Sequence, residues 1–172
     1  LHSFPTRRSS DLDWYETIPL SIIVTENLII TVCMQDTPVL HPFMEGTIRG
    51  FNTFMRSRFI LQILYRNATM YLRYLRIIDR ESDKLELKLR HSMQNREIVM
   101  LMELSKTLVY FTTSLKSNEI VMEKLTTLQR IKQYPDDEDL LGDVITENKQ
   151  AIEMANIYSG VLANMTDAFA SI

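Results

Sequence analysis

Hydrophobic residues in the N-terminal part of the chain fall into two short alternating runs. The segment 18–34 (IPLSIIVTENLIITVCM) holds two runs rich in β-branched residues on either side of a polar turn at 25–27. This pattern predicts a β-hairpin. Because both faces of the two strands are largely apolar, we expect the hairpin to lie inside a larger sheet with helices above and below it. The segment 36–50 contains two prolines and two glycines and is predicted to be a connector.

From Ser57 the hydrophobic positions recur every three or four residues, which is the spacing of one face of an α-helix. A first helix is predicted to begin there and a second to run over 95–128, each about 30 to 35 residues long. Because the break between them is short, we expect an antiparallel helical hairpin. The seam of the first helix is Leu61, Leu64, Ala68, Tyr71, Leu75, Ile78, Ser82, Leu85 and Leu89. The seam of the second helix is Leu101, Leu104, Leu108, Phe111, Leu115, Asn118, Met122 and Leu125.

A third helix is predicted after a break at 129–135, with Asp136 as its N-cap and further acidic residues in its first turn. Two apolar stripes predict two sets of neighbours, the helical hairpin and something else. Because the pattern still runs at Ile172 without a capping residue, we expect the helix to continue beyond it. The first stripe is Val144, Glu147, Ala151, Met154, Tyr158, Val161, Met165, Ala168 and Ile172. The second stripe is Leu141, Ala155, Leu162 and Phe169.

The first twelve residues, LHSFPTRRSSDL, are polar and show neither the alternation of a strand nor the three-to-four-residue spacing of a helix. They resemble one reading frame of a common sequencing adaptor. We therefore predict that 1–12 is an adaptor artefact joined to the gene, with a disordered N-terminal tail as the alternative. In either case we expect 1–12 not to be part of the folded domain.

Composition narrows the function classes. With 45% apolar residues and a net charge of −3, the chain has the make-up of a folded domain and no general attraction for nucleic acid. The single cysteine, Cys33, cannot form an internal disulfide. No run approaches eighteen consecutive apolar residues, so no segment is predicted to span a bilayer by itself.

Nucleotide-binding, hydrolase and metalloprotease motifs are absent and the three histidines are isolated, so we predict that the protein is not an enzyme.

Acidic residues at the start of the third helix are the candidate chemistry. The helix dipole is sufficient to explain the run 136–139. Asp143 and Glu147 lie one turn apart, beside or on the seam, where a carboxylate is costly unless it is compensated. A hard divalent cation that also binds carboxylates of neighbouring chains would provide that compensation. Asp143 and Glu147 are therefore candidate metal ligands.

Three stretches resemble the CorA family of magnesium transporters. They are SRFILQILYRNATMYLRYLRIIDR (57–80), LVYFTTSLKSNEIVMEKL (108–125) and DEDLLGDVITENKQAIEMANIYSG (137–160). The resemblance extends over 14–172. It implies an α+β, mostly α fold, in which 13–50 holds the last strands of an α/β/α cytoplasmic domain and a connector. The segment 51–131 would then be the long helical hairpin, and 132–172 the stalk helix before the first membrane span.

The resemblance also implies a function. The chain would be the cytoplasmic part of a homopentameric transporter of Mg²⁺, with Co²⁺, Ni²⁺ and Zn²⁺ as further candidate cations. It would lie on the cytoplasmic side of the inner or plasma membrane. Asp143 would match a stalk aspartate that helps to hold a regulatory Mg²⁺ between subunits, and Asp167 an acidic position at the pore mouth. The family's Gly-Met-Asn loop and both membrane helices are missing from this sequence, so we expect the chain to be a middle part of the transporter.

Two other classes remain open. A structural coiled-coil or scaffold module without an ion role predicts a polar continuation and a helix cap soon after Ile172. A cytosolic enzyme regulator that uses the helical hairpin as a docking arm predicts a stable soluble monomer. The transporter hypothesis predicts about twenty apolar residues shortly after Ile172. It also predicts self-association of this chain through exposed apolar surface.

Overall fold

The computed structural model of the chain describes residues 2–7, 15–92, 95–132 and 134–171. The chain is mostly helical (73%) and begins with a small antiparallel sheet, which confirms the predicted α+β, mostly α fold. The elements are β1 (His2–Arg7), β2 (Tyr15–Val24), β3 (Ile29–Cys33), α1 (His41–Met44), α2 (Arg56–His91), α3 (Asn95–Thr126), a 3₁₀ helix (Gln129–Lys132) and α4 (Pro135–Ala170).

Helices α2, α3 and α4 form a bundle about 50 Å long. At one end, Leu64 of α2 belongs to the same buried cluster as Met122 of α3 and Val144 of α4. At the other end, Leu89 of α2 shares a cluster with residues late in α4 and early in α3. Helix α3 is therefore antiparallel to α2, as predicted, and α4 runs parallel to α2. Helix α4 packs against both of the other helices.

The seam predicted for α2 is buried at every position from Leu61 to Leu89. Ser82, its polar member, is 3% exposed and donates its hydroxyl hydrogen to the backbone carbonyl of Asp79 at 2.7 Å. A buried hydroxyl is tolerated there because its hydrogen bond is made within its own helix. The seam of α3 is buried from Leu101 to Met122, whereas Leu125 is half-buried.

The two stripes predicted for α4 prove to be one face. Its buried residues are Asp137, Leu141, Val144, Asn148, Ala151, Ile152, Ala155, Leu162 and Met165. Glu147 is only half-buried and Val161 is 45% exposed, so placing them on the seam was wrong. Asn148 takes the heptad position that we assigned to Glu147. Because α4 contacts α2 and α3 at once, its buried face is wider than a two-helix seam, and within this chain both neighbours belong to the helical hairpin.

Helix α4 begins two residues earlier than predicted. Tyr134 is the N-cap residue, with extended backbone angles and no side-chain capping hydrogen bond, and Pro135 occupies the first turn. Asp136 is thus inside the helix and is not its cap. Proline is favoured at the first helical position because its fixed φ suits the helix and its missing N–H group is not needed there.

The predicted hairpin is present, with Val24 of β2 opposite Ile29 of β3. One of its faces packs on α2 and the connector, through Leu20 and the half-buried Ile22. The other face is open: Ile23, Ile30 and Val32 are 43% to 51% exposed. The expected cover on both faces is therefore present on one face only, because the helices that the structure describes lie on one side of the sheet.

An aromatic cluster joins the hairpin to the bundle. Phe43 of α1, Phe51 of the connector and Phe59 of α2 lie with ring centroids 4.9 to 5.3 Å apart. The connector reaches this cluster through two turns at Gly46 and Gly50, which have φ values of 68° and 70°. Glycine is favoured at both positions because a side chain strains the backbone there.

Residues 2–7, which we set apart from the fold, form strand β1 and pair antiparallel with β2. The register shifts between Ser3 and Pro5. The structure therefore differs from the expected tail over these six residues. Strand pairing depends mainly on backbone groups, so it does not bear on the origin of 1–12, which stays a prediction.

Helix α3 is apolar around more of its circumference than the other two. By its length and the mean hydropathy (1.2) of an 18-residue window within it, α3 is the one helix in the described part of the chain that could cross a membrane, and 39% of that window is buried in the bundle. The sequence did not predict a membrane-crossing segment. The buried leucines of its seam account for much of the hydropathy, since the core helix of a bundle has a similar composition.

Candidate functional site

The candidate metal ligands lie on the outside of α4. Asp143 is exposed, and Glu147, one turn further along, is half-buried at the edge of the packed face. Across the described ranges, no group of three or more His, Cys, Asp or Glu side chains converges in a way that could hold a metal ion. Within one copy of the chain, Asp143 and Glu147 are thus two oxygen ligands that need further ligands from elsewhere, and their role stays a prediction.

Asp167 is exposed near the C-terminal end of α4. It lies 24 positions after Asp143, which corresponds to about 36 Å along the helix axis. The structure therefore does not bring Asp167 together with Asp143 and Glu147. If each residue binds a cation, the two sites are separate.

A buried ion pair at the start of α4 was not predicted. The side chain of Asp137 is 0% exposed, and its Oδ1 atom accepts a hydrogen bond from Nε of Arg58 at 2.8 Å. The guanidinium of Arg58 also lies 3.6 Å from Oδ2 of Asp136 and 5.9 Å from the ring centroid of Tyr134. Arg58 thus holds the first turn of α4 against the first turn of α2.

The sequence could not single out Asp137, because the helix dipole already explained the whole run 136–139. Asp137 and Arg58 are also 79 positions apart, so no local spacing connects them. A second contact nearby has the same effect: the hydroxyl of Ser57 donates a hydrogen bond to the carbonyl of Arg130 at 2.8 Å. The base of the bundle is therefore fixed by polar contacts, and the acidic run is not uniform. Asp137 is structural, whereas Asp139 and Asp143 face solvent.

A second acidic region lies between α2 and α4, nearer the other end of the bundle. Partial burial and the neighbouring Asp83 raise the pKa of Asp79 above its usual range, and Arg80 opposes this. Burial raises the pKa of Tyr158 on α4, and the charge of Asp79 adds to that effect. Asp79 and Tyr158 therefore face each other across the α2–α4 contact. The side chains there are not arranged as a metal site.

Two open grooves lie at the ends of the bundle. One, of about 840 Å³, is lined by residues of the α2 C-terminus and of late α4, including Arg90, Val161 and Phe169. The other, of about 970 Å³, lies at the base between the hairpin loop, α2 and the end of α3. In the second groove the Arg56 guanidinium donates hydrogen bonds to the carbonyls of Thr25 and Glu26. Neither groove includes Asp143, Glu147 or Asp167.

The sequence matches the family described as "CorA-like Mg2+ transporter protein" over residues 1–172, which includes the first twelve residues as well as the stretch where we placed the resemblance. No curated protein matches it.

Two solved structures from Methanocaldococcus jannaschii have the same fold. The soluble domain of CorA is 24% identical, with a TM-score of 0.69 over 95% of this chain and 72% of that one. The complete CorA magnesium transporter is 23% identical, with a TM-score of 0.71 over 98% of this chain and 58% of that one. The chain thus spans little more than half the length of the complete transporter that it resembles.

Proposed function

Because this chain belongs to the CorA-like Mg²⁺ transporter family, we propose that it is the cytoplasmic part of a transporter of Mg²⁺ or a related divalent cation. In this proposal α4 is the stalk that couples intracellular Mg²⁺ to the opening of the pore. The family is a transporter family and not an enzyme family. The transported ion is substrate, with Co²⁺, Ni²⁺ and Zn²⁺ as further candidates beside Mg²⁺.

The observation that best supports a stalk is the continuity of α4. It is helical over 36 residues, Pro135–Ala170, and its buried face runs from Asp137 to Met165 against two other helices. A long helix held along its length moves as one body, because close-packed side chains transmit displacement with little loss. A change at Asp143 would therefore be felt about 36 Å away, at Asp167.

Asp143 and Glu147 suit a regulatory site between subunits. Carboxylate oxygens are the ligands that Mg²⁺ prefers, usually with several waters retained. Asp143 is exposed, so it can meet a neighbouring subunit of a homo-oligomer, which we propose to be a pentamer. The two residues fit half of such a site, and carboxylates of the neighbouring subunit would complete it.

Repulsion between carboxylates provides the coupling. A bound Mg²⁺ supplies the positive charge that allows carboxylates of two subunits to lie close together. Without that charge, two carboxylates about 4 Å apart repel each other by about 4 kcal/mol at an effective dielectric constant near 20. Asp143 would then move away from its neighbour and tilt α4. A bias of this size is sufficient to shift a two-state ring of subunits.

The proposal also includes a membrane-spanning segment and a position for Asp167 at the pore. We propose that the helix continues into a membrane-spanning segment of the inner or plasma membrane, with the described residues on the cytoplasmic side. Asp167 would then lie near the cytoplasmic mouth of the pore, where an acidic side chain attracts divalent cations. No role for nucleic acid is proposed.

The test is Mg²⁺ inhibition of transport by the full-length gene product in proteoliposomes. Asp143→Ala should remain active at internal Mg²⁺ concentrations that close the wild type, because a ligand of the regulatory site is lost. Glu153→Ala is the matched control, since Glu153 is an exposed carboxylate on the same helix, and it should be inhibited like the wild type. Unchanged inhibition of Asp143→Ala would remove Asp143 from the proposed mechanism.

A further inference from the structure

Each of the three long helices has one fully buried asparagine. Asn67 of α2, Asn118 of α3 and Asn148 of α4 are all 0% exposed. A buried side-chain amide without full hydrogen bonding is costly, and an apolar residue at these positions would fit the seam better. Three buried amides in one bundle therefore need an explanation other than stability.

The three asparagines lie at one level of the bundle. Towards the N-terminal end of α2, Leu64, Met122 and Val144 belong to one buried cluster. Towards the C-terminal end of α2, the rings of Tyr71 and Phe111 are in contact, with centroids 5.2 Å apart. Both rings belong to a second buried cluster, which also contains Ala151. On each helix the asparagine falls between these two reference positions. The residues Asn67, Asn118 and Asn148, here named the asparagine layer, thus separate two apolar parts of the core.

One hydrogen bond of the layer joins two helices at the observed alignment. Nδ2 of Asn148 donates to the backbone carbonyl of Leu115 on α3 at 3.1 Å. Neither side-chain polar atom of Asn67 has a hydrogen-bond partner among the described residues, and the same holds for Oδ1 of Asn148. The amides of Asn67 and Asn148 are therefore retained although they are incompletely paired.

The apolar seams by themselves permit sliding. Their members recur every three or four residues over several heptads, so a shift of α4 by one heptad again places apolar side chains opposite apolar side chains. The same shift moves Asn148 about 10 Å, away from Leu115 and into an apolar part of the core. The misaligned state then contains buried amides against hydrocarbon, whereas the aligned state keeps all three amides in one layer.

We infer that the asparagine layer is a register lock, in which Asn148 is a positioning residue that acts together with the Arg58–Asp137 ion pair to fix the axial position of α4 on the α2–α3 hairpin. Polar residues at single core positions of coiled coils act in this way, and they lower stability while they specify register. One consequence rests on the proposed function: a locked α4 can transmit a signal only by tilting together with its hairpin, and not by sliding along it.

The lock is tested by measuring the position of α4 with spin labels, which requires no transport. Nitroxide labels are placed by Met102→Cys on α3 and Lys149→Cys on α4, both exposed, in a Cys33→Ser background. Their axial offset is about 18 Å, so a heptad shift changes the measured distance strongly.

The labels are placed in a background that also carries Arg58→Ala and Asp137→Ala, which removes the ion pair that opposes the same shift. With Asn148 present, this background should give one narrow distance distribution. Asn148→Leu in this background should give a second distance in at least a tenth of the molecules, with an unchanged or higher Tm.

Ile152→Leu, an apolar change one turn further along α4, is the matched control and should keep the single distance. Asn67→Leu repeats the test on α2 if Asn148→Leu does not fold. A single, unshifted distance in both asparagine variants overturns the inference. A lower Tm with an unshifted distance also overturns it, because Asn148 then contributes only a hydrogen bond.

Discussion

Helix α2 buries its whole apolar seam from Leu61 to Leu89, whereas the hairpin β2–β3 leaves Ile23, Ile30 and Val32 open on one face. Both regions have apolar sequence patterns, but among the described residues only the α2 seam is covered throughout, by α3 and α4. One face of the sheet has no cover from the described part of the chain. An apolar pattern in the sequence therefore predicts burial reliably only where the partner elements are present.

The largest effect on stability is expected at the base of the bundle. Arg58→Ala removes the partner of the fully buried Asp137 and leaves an uncompensated charge in the core. The loss in free energy of unfolding should be about 3 to 5 kcal/mol. Chemical denaturation measures it, with Arg73→Ala, an exposed arginine on the same helix, as the control. If Arg58→Ala and Arg73→Ala are equally stable, the ion pair does not hold the bundle.

A pair of truncations compares the two regions directly. Leu108→Ala, at a fully buried position of the α3 seam, should cost about 2 to 5 kcal/mol, since it leaves a cavity. Ile30→Ala, on the open face of the sheet, should change the free energy of unfolding by no more than about 0.5 kcal/mol. Thermal and urea unfolding measure both variants. A large cost for Ile30→Ala would mean that the open face is covered in solution.

A smaller effect is expected from pH at the α2–α4 contact. Because the folded state raises the pKa of Asp79, folding disfavours its charged form. That cost is fully present above the folded-state pKa and disappears as the pH falls through it towards the unfolded value. Asp79→Asn should therefore raise the free energy of unfolding at pH 7, by less than about 1 kcal/mol for this partly exposed group. The gain should vanish at acidic pH, and a gain that is independent of pH would contradict this assignment.

The smallest change in stability, but a clear change in association, is expected on the open sheet face. Ile30→Lys should leave the free energy of unfolding nearly unchanged and reduce self-association, because it places a charge in the exposed apolar patch. Sedimentation velocity over a range of concentrations measures this. Leu87→Lys, at a residue of α2 that is 60% exposed, should have a weaker effect. Equal effects of both variants would mean that association does not involve the sheet.

The regions also differ in how far the sequence predicted them. In a long helix the spacing of buried positions recurs over many turns, so even the polar Ser82 was placed correctly in the α2 seam. The buried face of α4 was harder to predict, because it touches two helices and includes Asn148. There the apolar residues fell into two apparent stripes, and Glu147 was wrongly assigned to the buried seam. Strand β1 carries almost no apolar pattern, so its pairing with β2 could not be anticipated.

The residues of the candidate site also differ in how far the sequence could predict them. Asp143 and Glu147 could be proposed because they lie one turn apart beside the seam, and a family resemblance also pointed to Asp143. Asp137 could not, since its partner Arg58 is distant in sequence and the helix dipole offered a sufficient explanation of its charge. Long-range pairs of this kind become visible only when the chain is folded.

The proposed function requires that this chain is part of a transporter that internal Mg²⁺ closes. The most direct measurement is Mg²⁺ influx into proteoliposomes containing the full-length gene product, followed with an internal Mg²⁺ indicator at several starting internal concentrations. Such a transporter should show rapid influx at low internal Mg²⁺ that falls steeply as internal Mg²⁺ rises. Influx no faster than in empty liposomes, or influx that continues unchanged at high internal Mg²⁺ apart from the smaller gradient, would contradict it.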